Sequence, residues 1–225
     1  MILRMDELSG ILPSCCTMRA VGIGKFLPAE KSRMLEMLPG TRTVLVIGHH
    51  IRESLEWVWF PSDSEKNGST CAADLHTKSV AEKMSCILKS HGYSQYIVPY
   101  PGRSGLLFKN VATQAGLGQR GDNFLLLHPE WGPWIHLRVV LTSATVAPAP
   151  QVSGERGICT HCGQCRTSCP GKAIGDGTFD AELCDRTQAE RAGTSGLPGY
   201  PFKCEICLRS CPVGRQPPNL HIAIQ

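Results

Sequence analysis

The stretch "ICTHCGQCRTSCPGKAI", residues 158–174, places four cysteines within eleven positions and follows the last one with a proline. A second stretch, "CEICLRSCP" at 204–212, repeats the two-residue and three-residue gaps and the final Cys–Pro pair. The first motif reads Cys159-x2-Cys162-x2-Cys165-x3-Cys169-Pro170. Two such motifs close together predict that these thiols act jointly as metal ligands.

The spacing of the first motif is the signature of bacterial ferredoxins, in which the fourth cysteine binds a different cluster from the first three. In the second motif the first cysteine is displaced, and Cys184 stands in for it. The sequence therefore predicts two [4Fe-4S] clusters. The ligands predicted for the first cluster are Cys159, Cys162, Cys165 and Cys211. The ligands predicted for the second cluster are Cys169, Cys184, Cys204 and Cys207.

Zinc and disulfides are the alternatives for these cysteines. Zinc sites usually contain separated Cys-x2–4-Cys pairs rather than this run. Cys184 lies outside a tight motif, and a buried free thiol is its alternative. The other four cysteines fit no common ligand spacing; they are Cys15, Cys16, Cys71 and Cys86. The sequence assigns no role to Cys15 and Cys16. Cys86 lies in a predicted helix, where we expect a small buried side chain.

The bulk composition describes a globular protein with a weak positive charge. The chain has 225 residues, of which 42% are hydrophobic and 19% charged, and its formal net charge is +4. No block of like charges appears, so nucleic acid is an unlikely partner. The N-terminus shows no export signal, and no apolar run reaches the roughly 18 residues that a membrane helix needs. We therefore expect a cytoplasmic protein without a membrane partner.

The chain changes character near residue 148. Before that point the pattern is mixed α/β: a buried strand in 41–50, helices over 74–93 and 108–118, and two strands within 123–143. The segment 147–157 reads as a linker. We expect an α/β domain at 1–147 and a cysteine-rich domain at 148–225, the latter too small to be stable without metal.

The α/β part resembles a known superfamily. The stretch "QAGLGQRGDNFLLLHPEWGPWIHLRVVLTS" (114–143), followed by the linker and the two cysteine motifs, resembles epoxyqueuosine reductases and corrinoid-dependent reductive dehalogenases. The stretches "AVGIGKFLPAEKSRMLEMLPGTRTVLVIG" (20–48) and "ADLHTKSVAEKM" (73–84) lie in the order that these families use. The resemblance implies a nitroreductase-like α/β (α+β) fold that binds cobalamin base-off beside a ferredoxin-like unit. A nearby cluster would reduce its cobalt to the nucleophilic Co(I) state.

The resemblance also implies roles for individual residues. Gly116, Gly118 and Gly121 would let the backbone approach the cobalamin, although glycines at this place also end helices. Trp134 would pack on the flat macrocycle, with a core-edge position as the alternative. Arg138 would meet polar groups of the cofactor, with an ordinary solvated charge as the alternative.

Asp74 is the candidate catalytic acid. Epoxyqueuosine reductases carry an Asp-Tyr-His triplet whose aspartate is thought to donate a proton, and this chain has Asp74-Leu75-His76. A carboxylic acid in a dry pocket suits that role. The alternative is that Asp74 caps the helix that follows it.

The functional prediction is a corrinoid-dependent iron–sulfur reductase. Its expected partners are an electron donor (a flavodoxin, a ferredoxin or a reductase) and either a small-molecule substrate or a corrinoid protein. The alternative is an electron-transfer or corrinoid-activating protein without substrate chemistry of its own. The chain lacks both the helical repeats that many epoxyqueuosine reductases use to hold transfer RNA and the export signal of respiratory dehalogenases.

Overall fold

The structure is a computed structural model, and it describes residues 2–62, 69–100, 104–147, 157–195 and 204–214. The chain divides into two compact units, each built from three segments. The α/β unit consists of Met1–His50, Ala73–Leu117 and His136–Ser153. The cysteine-rich unit consists of Ile51–Ala72, Gly118–Ile135 and Gly154–Gln225. The domain boundary at residue 147 stays a prediction, and most of the predicted linker lies outside the described residues.

Three strands have seven or eight residues and three helices have ten or more, and the other elements are shorter. In chain order the strands are β1 (Ile2–Leu3), β2 (Cys16–Gly22), β3 (Thr43–His50), β4 (Phe60–Pro61), β5 (Ser69–Thr70), β6 (Gln95–Ile97), β7 (Gln119–Arg120), β8 (Leu126–Leu127), β9 (Ile135–Thr142) and β10 (Thr145–Val146). The α-helices are α1 (Met5–Ser9), α2 (Pro28–Met37), α3 (Ala72–Ser90), α4 (Phe108–Gln114), α5 (Gln164–Ser168), α6 (Ala181–Ser195) and α7 (Ile206–Arg209). Two 3-10 turns lie at Ile23–Lys25 and Ser54–Trp57.

A four-stranded sheet with the order β2-β3-β9-β6 forms the centre of the α/β unit. Strands β2 and β3 are antiparallel, with Cys16 opposite His49 and Gly22 opposite Thr43. All but the last residue of β3 are buried, which is typical of a β-branched run covered on both faces. The strand predicted within 41–50 is therefore confirmed.

Helix α3 covers the sheet with one apolar face. Its buried residues recur at helical spacing and include Val80, Met84 and Leu88. They join Leu45 and Ile47 in the main hydrophobic core. The helix predicted over 74–93 is confirmed, but it begins at Ala72. The expectation that Cys86 is buried is wrong: Cys86 is exposed, because it lies on the opposite side of α3 from this face.

One apolar core of the cysteine-rich unit is small and is formed partly by cysteines. This core contains only Cys165, Cys169, Ala173 and Ile174 as buried members. The β-structure of the unit among the described residues is limited to two-residue ladders and isolated bridges. This core by itself offsets little of the cost of ordering the backbone, which is about 1–2 kcal/mol per residue.

The mixed α/β class is confirmed by the sheet and its covering helix. The nitroreductase-like and ferredoxin-like assignments of the two parts stay proposals. Within the described ranges, every helix is too short or too polar to cross a lipid bilayer.

Candidate functional site

The first cysteine motif folds into a tight loop that turns several thiols towards one place. His161 and Gly163 adopt left-handed conformations, with φ of 54° and 72°. Such angles are easy for glycine and uncommon for other residues. Helix α5 then begins directly after Gly163. The two left-handed residues lie between the first three cysteines of the motif, so the backbone reverses sharply there.

These thiols line a cavity together with Cys211 from the second motif. The cavity holds about 300 Å³ of space, part of it open to solvent. Its cysteines are the four predicted for the first cluster, and the remaining lining residues come from the same unit. They are Asp122, Asn123, Leu127, Thr160, Gly163, Pro212 and Val213. Cys165 and Cys211 are buried, while Cys162 is exposed.

A close backbone contact holds the segment that follows Cys211. Gly132 has a φ of +59°, and a Cβ at this position would lie 1.9 Å from the carbonyl oxygen of Val213. Gly214 has a φ of +78°, and a Cβ there would lie 2.3 Å from the backbone nitrogen of Gly132. Both positions therefore require glycine, and their contact fixes the chain next to the fourth thiol of the cavity.

The four cysteines predicted for the second cluster are also neighbours. Burial, followed by the charges of Cys204, Cys184 and Cys169, raises the pKa of Cys207 to about 12. Gln188 links the two distant members: its side chain donates to the Cys184 sulfur at 3.8 Å and accepts from the Cys204 amide at 3.3 Å. The displaced cysteine is thus packed beside the second motif.

The donor set fits iron–sulfur clusters. Burial is also the largest cause that raises the pKa of Cys165 and of Cys211. Without metal, these sulfurs are therefore neutral thiols at pH 7. Iron binding would release their protons and hold them as thiolates, which couples metal binding to the fold of this unit.

A contact between His161 and Asp122 beside the cavity was not predicted from the sequence. The His161 Nδ1 atom lies 2.9 Å from Asp122 Oδ1, and Asp122 also lines the cavity. His161 is separated from Asp122 by 39 positions in the chain. The motif itself shows a histidine between cysteines, but no pattern in the sequence indicates its partner.

Asp74 lies in a buried charge cluster of the α/β unit. Its Oδ1 atom is 2.8 Å from His136 Nε2, and the Arg138 guanidinium donates a short hydrogen bond to the same oxygen. The side chain of Asp74 is 2% exposed and that of Arg138 is 3% exposed. An arginine side chain stays charged in proteins, and a buried one needs an anionic partner. The contacts therefore favour the carboxylate form of Asp74.

His136 is buried between the Asp74 carboxylate and the Tyr100 ring. Desolvation lowers the pKa of His136 below its ordinary value, and the hydrogen bond and charge of Asp74 oppose this shift. The Tyr100 ring stacks on the imidazole with centroids 5.0 Å apart. Helix α3 begins two residues before Asp74. The N-cap alternative is therefore wrong, and Asp74 lies in the first helical turn, where a negative charge is favourable.

The residues predicted to contact cobalamin pack against other residues of this chain. Gly116 has a φ of +74° and follows the end of α4. A Cβ on Gly118 would lie 2.3 Å from the Leu127 carbonyl oxygen, and one on Gly121 would lie 2.7 Å from the same leucine's side chain. Trp134 is completely buried, with the Arg209 guanidinium over its ring at 5.2 Å.

Intrachain packing thus accounts for these glycines and for Trp134, and Arg138 is occupied by Asp74. The roles of these five residues as cofactor contacts stay predictions. The alternative that Gly116 ends a helix agrees with its position and backbone angle.

Comparison with known proteins gives relatives in two groups. No protein-family model matches the chain. The chain is 28% identical over 208 residues to an epoxyqueuosine reductase from Vibrio cholerae, with 84% of this chain and 54% of that protein covered. It is 38% identical over 96 residues to a tetrachloroethene reductive dehalogenase from Dehalobacter restrictus, which covers 42% of this chain and 17% of that protein. The chain spans about half or less of the length of these relatives.

Solved structures share the fold. An epoxyqueuosine reductase crystallised with an epoxyqueuosine-modified tRNA-Tyr stem loop superposes with a TM-score of 0.68 at 16% identity, covering 93% of this chain and 64% of that one. A reductive dehalogenase described as acting in B12-dependent dehalogenation superposes with a TM-score of 0.57 at 19% identity, covering 78% of this chain and 26% of that one. A relative that binds tRNA gives no support to the expectation that nucleic acid is an unlikely partner. By sequence and by fold, this chain is similar to epoxyqueuosine reductases and reductive dehalogenases.

Proposed function

We propose that the protein is an oxidoreductase whose cysteine-rich unit holds two [4Fe-4S] clusters. The observation that carries the proposal is the cavity in which Cys211 of the second motif joins Cys159, Cys162 and Cys165 of the first. This exchange of one cysteine between motifs is the arrangement that the ferredoxin signature requires. Zinc sites built from separate Cys-x2-Cys pairs do not require it.

The residues around the first set of thiols would control the access of solvent and of electron donors to its cluster. When bound, the clusters supply single-electron transfer. Buried Cys165 and Cys211 keep water from one side of the first set, and exposed Cys162 leaves the other side accessible. We propose that a flavodoxin, a ferredoxin or a reductase donates electrons at the exposed side. The Asp122–His161 pair adds a polar group next to the first set.

The electron acceptor that we propose is a corrinoid. The support comes from the relatives, since one of the superposed dehalogenases is described as B12-dependent. The substrate would then be a small molecule, a corrinoid protein or a modified nucleoside in RNA, the last because a superposed reductase binds a tRNA stem loop.

A second candidate is an electron-transfer protein without substrate chemistry. It is favoured by the buried ion pair of Asp74 with Arg138. An aspartate held as a carboxylate by a buried guanidinium is a poor proton donor. In this case electrons leave the clusters for another protein.

The proposal is tested by anaerobic reconstitution with iron and sulfide. We expect roughly eight irons per chain and a broad visible absorption from cubane clusters. Cys86→Ser is the matched control, because Cys86 is exposed and lies outside both sets, and it should keep the full iron content. Stoichiometric zinc in place of iron, or about four irons per chain, would contradict the proposal.

A cobalamin titration separates the two candidates. The reconstituted and reduced protein is mixed with cobalamin and passed over a gel-filtration column. Co-elution of the corrin with an altered absorption spectrum supports the corrinoid reductase. Normal cluster spectra with no retained corrin support the electron-transfer protein.

A further inference from the structure

Three metal-binding side chains of the α/β unit have no part in the cluster scheme. The ligand atoms of Cys15, Cys16 and His49 all lie within 4.8 Å of one another. His49 is completely buried, whereas the two thiols are half-buried. The sequence gives no hint of this group, because its members come from two separate segments of the chain.

The register of β2 and β3 produces this grouping. Cys16 and His49 are direct partners across the antiparallel pair. The His50 amide donates to the Cys15 carbonyl at 2.8 Å, so the neighbouring pair is the hydrogen-bonded one. Cys16 and His49 therefore form a non-hydrogen-bonded pair, in which the Cα atoms are only about 4.5 Å apart and the side chains lie closer together.

A turn places the second thiol on the same side. The Cys16 amide donates to the Pro13 carbonyl at 2.8 Å, which closes a turn over residues 13–16. Cys15 lies in this turn, before the first residue of β2. It is therefore free of the strand alternation that would otherwise direct two adjacent side chains to opposite faces.

The distance between the Cys16 sulfur and a His49 ring nitrogen matches that between two ligands of one tetrahedral ion. The Cys16 Sγ atom lies 3.5 Å from His49 Nδ1. A tetrahedral zinc ion with a Zn–S bond of about 2.3 Å and a Zn–N bond of about 2.0–2.1 Å holds its sulfur and nitrogen ligands roughly 3.5–3.6 Å apart. The two atoms thus already have the separation that a shared zinc ion imposes.

We propose that Cys15, Cys16 and His49 form a mononuclear zinc site that is independent of the iron–sulfur clusters. Two thiolates and one imidazole are soft and borderline ligands, which suit zinc and disfavour magnesium or calcium. Three protein ligands leave the fourth tetrahedral position for water or an incoming Lewis base, as in zinc sites that keep an open coordination position. The half-buried thiols give solvent access to that position.

The test uses the cluster-loaded protein, so that the eight cluster cysteines are already occupied. The reconstituted protein is treated with a mild chelator, supplied with one equivalent of zinc and desalted. Zinc and iron are then counted by mass spectrometry, and zinc K-edge X-ray absorption reports the ligands of zinc alone. We expect about one zinc per chain, with about two sulfur ligands near 2.3 Å and at least one nitrogen near 2.0–2.1 Å.

Matched variants make the test specific. Cys16→Ser and Cys15→Ser should each lose the zinc while keeping the iron content and the circular dichroism of the wild type. Cys86→Ser should keep both metals, because Cys86 is exposed on α3. Retention of zinc by Cys16→Ser, four sulfur ligands around zinc, a Cys15–Cys16 disulfide, or a wild-type protein that holds iron but no zinc would each overturn the proposal. Failure of the cluster proposal gives a different result, namely iron loss in the wild type.

Discussion

The hydrophobic cores of the two units differ in composition. In the α/β unit, the strands and α3 bury a large apolar set that includes Leu45, Ile47, Met84 and Leu88. In the cysteine-rich unit, two of the four buried residues of the core around Ala173 and Ile174 are themselves proposed ligands. The difference supports the proposal that metal binding adds to the stability of the second unit, whereas hydrophobic burial stabilises the first.

Iron removal tests this difference with the largest expected effect. Chelation of the iron should unfold the cysteine-rich unit, because the cysteines lose the metal cations that hold them together. Hydrogen exchange should then become fast in residues 157–195 and 204–214 and stay slow in β3 and α3. If hydrogen exchange in both units were equally slow before and after chelation, the proposed difference between the units would be wrong.

Arg138→Met tests the buried ion pair between Asp74 and Arg138 in the α/β unit. The substitution leaves Asp74 buried without its cationic partner, and we expect a loss of about 3–5 kcal/mol in the free energy of unfolding. The double variant Asp74→Asn/Arg138→Met should recover part of this loss, since it leaves no uncompensated charge. Denaturant unfolding of the two single variants and the double variant measures the coupling, and an additive double variant would show that the pair does not interact.

Gly118→Ala tests packing in the cysteine-rich unit. The new Cβ would meet the Leu127 carbonyl oxygen at 2.3 Å, and we expect a loss of about 1–3 kcal/mol. Gly22→Ala is the control, since nothing lies within 4 Å of its Cβ position. Anaerobic thermal unfolding compares the two variants. Equal midpoints would mean that Gly118 serves something other than this contact.

Low pH should weaken the α/β unit slightly through His136. Its pKa in the folded protein is lowered, chiefly by desolvation, so the unfolded chain takes up the proton first as the pH falls below about 6.5. Stability is therefore complete above that pH and declines as the pH falls towards the folded pKa. His136→Gln should have a flatter stability profile between pH 7.5 and 5.5, and identical profiles would contradict this assignment.

Local patterns predicted much of the fold. The β-branched run in 41–50 and the helical spacing of Val80, Met84 and Leu88 identified β3 and α3 because each pattern extends over several residues. The cysteine spacing likewise predicted which thiols line the cavity. The strand and the helix depend on residues that are close in the chain, whereas the joining of Cys211 to the first motif follows from the paired ferredoxin signature.

Contacts between distant segments could not be predicted from the sequence. Asp74 and His136 are 62 positions apart, and Cys16 and His49 are 33 apart. Their proximity depends on strand order and register, which a single sequence does not encode in any local pattern. The sequence therefore predicted Asp74 as a catalytic acid, whereas the structure pairs its carboxylate with His136 and Arg138.

The central claim is that eight cysteines divide into two sets of four that exchange one member between motifs. Iron content of single and double variants tests it most directly. Cys207→Ser and Cys211→Ser should each retain roughly half of the iron, because each removes a ligand of a different cluster. Adding Cys204→Ser to Cys207→Ser should remove little more, whereas combining Cys207→Ser with Cys211→Ser should remove nearly all of it. If Cys204→Ser/Cys207→Ser lost all of its iron while Cys207→Ser/Cys211→Ser retained half, the two sets proposed here would be wrong.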